Sequence, residues 1–350
     1  MYSDLGMTQE GEQYGIHIIG QGNAELDGGN PNDLREATSR KDGRPHVRFN
    51  NLILLHNVRD YSIENLRCTH QRWWAINQIC CRRGYINRID FFNGDKIPNQ
   101  DGINLRIGCH EITIENITGR TGDDVVALTA LPMCGDGQLL VEGRDPDIHD
   151  VTIRNVCAHT MQTVVALRNC DGAQMYRITI ENITDCGGPY FAWGVVRIGE
   201  NNYYKQRPNR LGETREITVR GVKAIARGTV YIASSLKDSH ISDVWATGTT
   251  RYGVSTFLPS LVSGETKCWV EGGVTMENVV VDNIHYCGSC GNPQDRGIAN
   301  PGEVFDGAAL DFRCMRDSDS LKNVVFRDIF AREGAEIAVA REGIELDIRN

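Results

Sequence analysis

The sequence predicts an all-β fold, a right-handed parallel β-helix in which residues 1–350 form one solenoid domain. Three observations predict it. A short strand pattern recurs along the whole chain. Its copies are spaced as coils of about 22 to 30 residues, some lengthened by insertions. Finally, 37 Gly are spread evenly between short apolar runs, which marks many tight turns and short strands.

The copies run in order. Tyr61-Ser62-Ile63-Glu64-Asn65-Leu66 is a weak first copy, and Ile86-Asn87-Arg88-Ile89 a partial second. Ile112-Thr113-Ile114-Glu115-Asn116-Ile117, Val151-Thr152-Ile153-Arg154-Asn155-Val156 and Ile178-Thr179-Ile180-Glu181-Asn182-Ile183 are the clearest. Ile217-Thr218-Val219-Arg220-Gly221-Val222, Val279-Val280-Val281-Asp282-Asn283-Ile284 and Val324-Val325-Phe326-Arg327-Asp328-Ile329 follow. In each, apolar and polar residues alternate, a polar residue marks a bend, and an apolar residue follows. Alternation with period two is the strand signal, in units too short to stand alone. Asn65, Asn116, Asn155 and Asn182 are separated by 51, 39 and 27 residues, and Asn87 with Arg88 divides the first step. Stacked coils place the inward residues in one continuous core, and Asn at a repeated bend can form a hydrogen-bonded ladder. A leucine-rich horseshoe lacks its Leu consensus here, and a propeller needs longer antiparallel units. Little helix is expected. Insertions fall at 133–147, 201–213, 256–273 and 288–302, and loops on one face of a solenoid usually build its groove.

Composition narrows the function. The formal net charge is −9, with 40% hydrophobic and 24% charged residues. That is ordinary globular composition, not disorder, collagen or a small disulfide scaffold. No run approaches a membrane span, and an acidic chain is a poor general nucleic-acid binder. The opening Met1-Tyr2-Ser3-Asp4-Leu5-Gly6 has no basic or apolar signal region. As written it predicts a cytoplasmic protein; a trimmed N-terminus would make it secreted. The twelve Cys are read as reduced, buried thiols on the same ground. Cys287 and Cys290 have zinc-knuckle spacing without a second close pair, so no metal and no cofactor are expected.

The acidic residues carry the chemical signal. Asn99-Gln100-Asp101-Gly102 and Gly122-Asp123-Asp124 lie one coil apart, each just before an apolar strand. Strands in neighbouring coils are about 4.8 Å apart. Asp101, Asp123 and Asp124 should therefore cluster on one sheet face. A lone Gly-Asp-Asp is often only a turn whose Asp accepts backbone N–H groups. A second acidic turn directly below it shifts the reading toward chemistry. Carboxyls this close raise one another's pKa, so one can hold a proton near neutrality. A protonated carboxyl beside ionised ones is what glycoside hydrolysis needs.

These motifs resemble glycoside hydrolase family 28, the polygalacturonase-like enzymes with a pectin lyase-like β-helix. The family pairs an Asn-Thr-Asp-Gly turn with a Gly-Asp-Asp turn one coil later. Gly20-Gln21-Gly22-Asn23-Ala24-Glu25-Leu26-Asp27-Gly28 is similar to its early Gly-rich coil, and Arg44-Pro45 and Trp74-Ala75-Ile76-Asn77 also match. The resemblance covers roughly residues 15 to 240. It implies that Asp123 is the general acid and that Asp101 and Asp124 activate water in a single-step, inverting hydrolysis. It implies a poly- or oligosaccharide substrate of pectin type, rich in uronate. Two positions depart from it. Met161-Gln162-Thr163 replaces the family's Gly-His-Gly, with His159 close by in sequence. Val196-Arg197-Ile198-Gly199 keeps the Arg of the sugar-carboxylate grip and loses its Lys, for which Arg168 or Lys205 would compensate. The family also carries a cap ahead of the Gly-rich coil, which this chain lacks or shortens. An open end exposes strand edges, so a homo-oligomer or another partner covering it is the expectation.

Residues 67–120 hold seven Arg and one Lys against five acidic residues. Arg recognises carboxylates bidentately, and Arg106 stands out because it follows the Asp101 strand. Aromatic residues that could stack on sugars are Trp73, Trp74, Tyr190, Trp193, Tyr203 and Tyr204; Tyr203 and Tyr204 are preferred because they lie in a polar loop after Arg197. The expected substrate-binding residues are Arg197, Arg168, Arg106, His159, Tyr203 and Tyr204. Two other readings stand beside hydrolysis. One is a polysaccharide lyase on the same fold, using clustered Asp to hold Ca²⁺. The other is a non-catalytic glycan-binding β-helix.

Overall fold

In the computed structural model the repeats close into a right-handed parallel β-helix, with the handedness usual for parallel crossover connections. The described residues are 11–29, 51–71, 73–93, 99–133, 137–187, 194–199, 207, 209–225, 228–247, 252–256, 260–262, 265–267, 274–288 and 307–350. Among them, two long parallel sheets carry the fold, one of thirteen strands and one of ten, with a small antiparallel pair at Ser260–Val262 and Glu265–Lys267. A single 3-10 turn lies at Gly137–Leu139.

Each coil gives one long strand to the larger sheet and one short strand to the smaller. His110–Arg120, Ile148–His159 and Met175–Asp185 are successive long strands. In register, Ile112, Val151 and Ile178 stack, as do Ile114, Ile153 and Ile180, and then Ile117, Val156 and Ile183. All nine are buried in a core that extends from Ile53 to Ile329. Period-two alternation thus delivers one apolar side chain per rung.

The long strands turn twice. Glu111 and Asn116, Asp150 and Asn155, and Arg177 and Asn182 all have φ between 52° and 58°. A left-handed non-glycine residue costs about 1–3 kcal/mol. Stacking offsets this cost. Asn155 Nδ2 donates to Asn116 Oδ1 at 3.3 Å, and Asn182 Nδ2 to Asn155 Oδ1 at 3.2 Å. At the other bend, Arg177 forks onto Asp150 through two bonds of 2.6 Å, and Arg83 grips Asp60 at 2.6 and 2.9 Å. One bend is therefore an amide ladder and the other is studded with ion pairs.

The strand Leu236–Ala246 is a further copy, one that the sequence pattern hides. Its Ser239, Ser242 and Asp243 dilute the apolar signal, yet Ile241 and Val244 are fully buried and Asp243 takes the bend at φ 54°.

Two sequence expectations need amendment. Cys314 is disulfide-bonded, so the reduced reading does not hold for it. Cys157, Cys186 and Cys287 are free but exposed, whereas Cys68, Cys80, Cys81 and Cys109 are free and buried as expected, and Cys170 is buried. Part of the 133–147 insertion packs on the outside of the smaller sheet, where Leu139, Leu140 and Val141 cover Leu54, Ile79, Cys80 and Ile107. His56 Nε2 meets the Leu139 carbonyl there at 2.7 Å.

Candidate active site

Three consecutive short strands form the floor of the site: Ile103–Arg106, Val126–Ala130 and Thr163–Asn169. Ile103, Leu105, Val126, Leu128, Val165 and Leu167 belong to the interior core. The alternate residues, Asn104, Arg106, Ala127, Thr129, Ala166 and Arg168, face outward. Register aligns Arg106, Thr129 and Arg168 across three coils, and Asn104, Ala127 and Ala166 beside them. The small side chains of Ala127 and Thr129 leave a trough between two guanidinium groups.

The acidic turns sit at the leading ends of these strands. Gly102 N donates to Asp124 O at 3.0 Å, and Ile103 N to Val125 O at 2.8 Å, so the turns stack one coil apart. The Gln100 carbonyl accepts both Gly122 N and Asp123 N, at 3.1 and 3.3 Å. Gln100 and Gln71 reinforce the lower turn: Gln100 Nε2 donates to the Gln71 carbonyl at 2.6 Å, and Gln71 Nε2 to the Asp101 carbonyl at 3.2 Å.

Asp101, Asp123, Arg106 and Arg168 line one cleft together with Asn99, Asn104 and Trp74. Asp124 lies just beneath, 1% exposed, and its Oδ2 is 3.4 Å from Arg168 Nη2. Its Oδ1 accepts Thr163 N at 3.0 Å. Asp101 Oδ2 accepts Asn104 Nδ2 at 3.1 Å. Asp123 accepts two backbone groups, Asn99 N at 2.6 Å and Asp124 N at 3.0 Å. Arg106 stacks its guanidinium 4.3 Å from the Trp74 ring centre.

The electrostatics are those of a proton-sharing cluster. Burial, then the Asp123 and Asp124 charges, push the Asp101 carboxyl well above the ordinary range. Asp123 is pushed up to about 7, by burial first and by Asp124 second. Backbone N–H bonds and Arg168 oppose this rise without cancelling it. The cleft therefore offers a protonatable carboxyl, a carboxylate paired with Arg, and two guanidinium groups.

The cleft holds fewer residues than the sequence predicts. His159 is not among the lining residues. Its Nδ1 pairs with Asp185 Oδ1 at 2.9 Å, and both side chains are almost fully buried. Arg197 also lies outside the lining. It stands in register with Ala166, not Arg168, and its Nε donates to the Gly199 carbonyl at 3.0 Å. Its guanidinium is 5.9 Å from the Tyr231 ring centre. Tyr203, Tyr204, Lys205, Tyr190 and Trp193 lie outside the described residues. Trp73 is a core residue at 1% exposure, whereas Trp74 lines the cleft. Asn104 lines the cleft although the sequence analysis does not single it out. Asn104 follows Asp101 by three residues on an outward position, which the alternation could have shown. Tyr231 was missed as well; its hydroxyl lies 3.4 Å from Thr163 Oγ1.

No family model and no curated protein matches the chain. Among solved structures it is similar to a hyperthermoactive exopolygalacturonase from Thermotoga maritima. That match has 11% identity and a TM-score of 0.32, covering 79% of this chain and 50% of the other. It is also similar to a family 28 exopolygalacturonase from Yersinia enterocolitica. There the identity is 10% and the TM-score 0.37, covering 85% of this chain and 46% of the other. The chain thus spans about half the length of the solved structures it matches.

Proposed function

We propose that the protein is an inverting glycoside hydrolase acting on a uronate-containing poly- or oligosaccharide of the pectin type. The observation that supports this reading is that Asp101 and Asp123 line one cleft with Asp124 just beneath, and that the Asp123 carboxyl is pushed up to about 7. In this reading Asp123 donates its proton to the leaving glycosidic oxygen. Asp124, paired with Arg168, deprotonates the attacking water on the opposite face of the sugar, and Asp101, whose carboxyl is itself pushed up, holds that water by a hydrogen bond. Inversion needs carboxyls roughly 6.5–9.5 Å apart so that the water fits. Arg106 and Arg168 flank the trough and suit a sugar carboxylate, which guanidinium groups bind through paired hydrogen bonds. Arg106 is already ordered against Trp74, which lowers the entropy cost of using it.

The test is a panel of uronate-rich and neutral glycans incubated with the full chain. Hydrolysis predicts new reducing ends without an ultraviolet-absorbing unsaturated product, from uronate glycans before neutral ones. Unsaturated product would replace hydrolysis by elimination. Binding without any bond cleavage would leave a glycan-binding solenoid.

A further inference from the structure

The Asp123 carbonyl is gripped from two coils. The Thr121 hydroxyl donates to it at 2.5 Å, and the Thr160 hydroxyl, one coil later, donates to it as well. A carbonyl oxygen has two lone pairs, so the two donors saturate it. Both threonines are buried, Thr160 completely. Thr160 Oγ1 also accepts Gln162 N at 3.1 Å, a local turn that fixes which way its hydroxyl points. The same segment reaches the next residue of the acidic turn, where Thr163 N donates to Asp124 Oδ1 at 3.0 Å. The stretch Thr160-Met161-Gln162-Thr163 therefore holds both aspartates of that turn.

A trans peptide is planar, and its C=O and N–H point to opposite sides. The Asp123 carbonyl and the Asp124 N–H belong to one such plane. Its carbonyl edge meets the two threonine hydroxyls, and its N–H edge donates to Asp123 Oδ1 at 3.0 Å. We propose that Thr160, seconded by Thr121, is a positioning residue for the proton donor: the hydroxyls lock the Asp123–Asp124 peptide plane, and the plane holds the Asp123 carboxyl at the cleft. This rests on the reading of Asp123 as the general acid. Thr160 is not among the residues that line the cleft, so it acts through Asp123.

The lock has a signature that a purely structural contact lacks. An N–H bond to a carboxylate favours its ionised form. Without the hydroxyls the plane turns more freely, the bond from Asp124 N weakens, and the Asp123 carboxyl keeps its proton to a higher pH. The charged groups that face Asp123 are Asp101, Asp124, Arg106 and Arg168. A substitution at Thr160 removes none of them. Asn99 N still donates to Asp123 Oδ2 at 2.6 Å, so the carboxyl is loosened without leaving the cleft.

The test uses the folded full chain with carbon-labelled Asp carboxyls, titrated by NMR, the Asp123 signal being the one absent from Asp123→Asn. In Thr160→Val the Asp123 midpoint should rise by about 0.5 to 1 in pH, the worth of one modest hydrogen bond. Thr160→Ser keeps the hydroxyl and should titrate with the wild type. Thr121→Val removes the second donor and should move the midpoint the same way, which decides the matter where Thr160→Val does not fold. On a uronate-rich glycan, Thr160→Val should lower kcat by about tenfold with little change in KM, and its alkaline limb should rise with the midpoint. A wild-type chain that cleaves no glycan would remove the hydrolytic reading, while the titration still decides whether Thr160 holds the Asp123 carboxyl. An unmoved midpoint in the folded valine variants, or a serine variant that shifts as far as Thr160→Val, would overturn the proposal.

Discussion

The backbone N–H of Asn99 donates to Asp123 Oδ2 at 2.6 Å, so the first acidic turn holds the carboxyl of the second across one coil. This bond favours the ionised form, as does the one from Asp124 N. Burial and the Asp124 charge outweigh both and leave Asp123 at about 7. The chain thus keeps a carboxyl oriented by hydrogen bonds yet able to hold its proton.

That arrangement costs stability at neutral pH. A folded pKa of about 7 against an ordinary 3.8 means that the folded chain binds the extra proton between those values. The stabilising effect of this proton is complete below the unfolded pKa and is lost as pH rises through the folded one. Asp123→Asn removes the titration. The variant should be more stable than wild type near pH 8, by on the order of 1–3 kcal/mol, with the gap closing toward pH 4. Thermal unfolding of both proteins across this range checks it; a gap independent of pH would contradict the placement of the proton.

Arg168 acts on the same proton. Its charge lowers the pKa of both Asp101 and Asp123. Arg168→Gln should therefore move the alkaline limb of the rate profile to higher pH. It should also cut kcat/KM by about tenfold or more, since the ion pair with Asp124 is lost. Arg168→Lys should restore the limb more than the rate. An unmoved limb would remove Arg168 from the cluster.

Gly102 closes the lower acidic turn where there is no room for a side chain. A Cβ there would lie 2.5 Å from the Val125 carbonyl oxygen and 2.8 Å from the Phe91 ring. Gly102→Ala should cost about 1–3 kcal/mol and reduce activity by shifting Asp101. Chemical denaturation and glycan turnover measured together check both effects.

The bend ladder gives a test of the fold. Asn155 sits at φ 56° and bonds Asn116 below and Asn182 above. Asn155→Ala should lose about 1–3 kcal/mol, from left-handed strain together with lost hydrogen bonds. Asn155→Gly should lose less, because glycine adopts that backbone without strain. Equal losses would mean that the side-chain ladder alone matters at this bend.

The coil architecture was legible because a parallel solenoid writes its register into spacing. Asp101 and Asp124 fall in line because Ile103 pairs with Val126, which the one-coil interval already implied. Arg106 was legible for the same reason, as the third residue after Gly102's neighbour Ile103 on an outward position. What spacing does not encode is where side chains bend at coil corners. His159 belongs to a strand end that buries its ring against Asp185. Trp73 and Trp74 are adjacent, yet one fills the core and the other meets Arg106. Arg197 falls two positions away from the Arg106–Arg168 line, beside Ala166.

Asp123 is the proposed proton donor, and one measurement reaches it directly: the rate of reducing-end release from a uronate-rich glycan by the wild-type chain and by Asp123→Asn, both shown to be folded. Release by the wild type should fall by on the order of a hundredfold or more in the variant, as loss of a general acid requires. Equal release by the two proteins would contradict it.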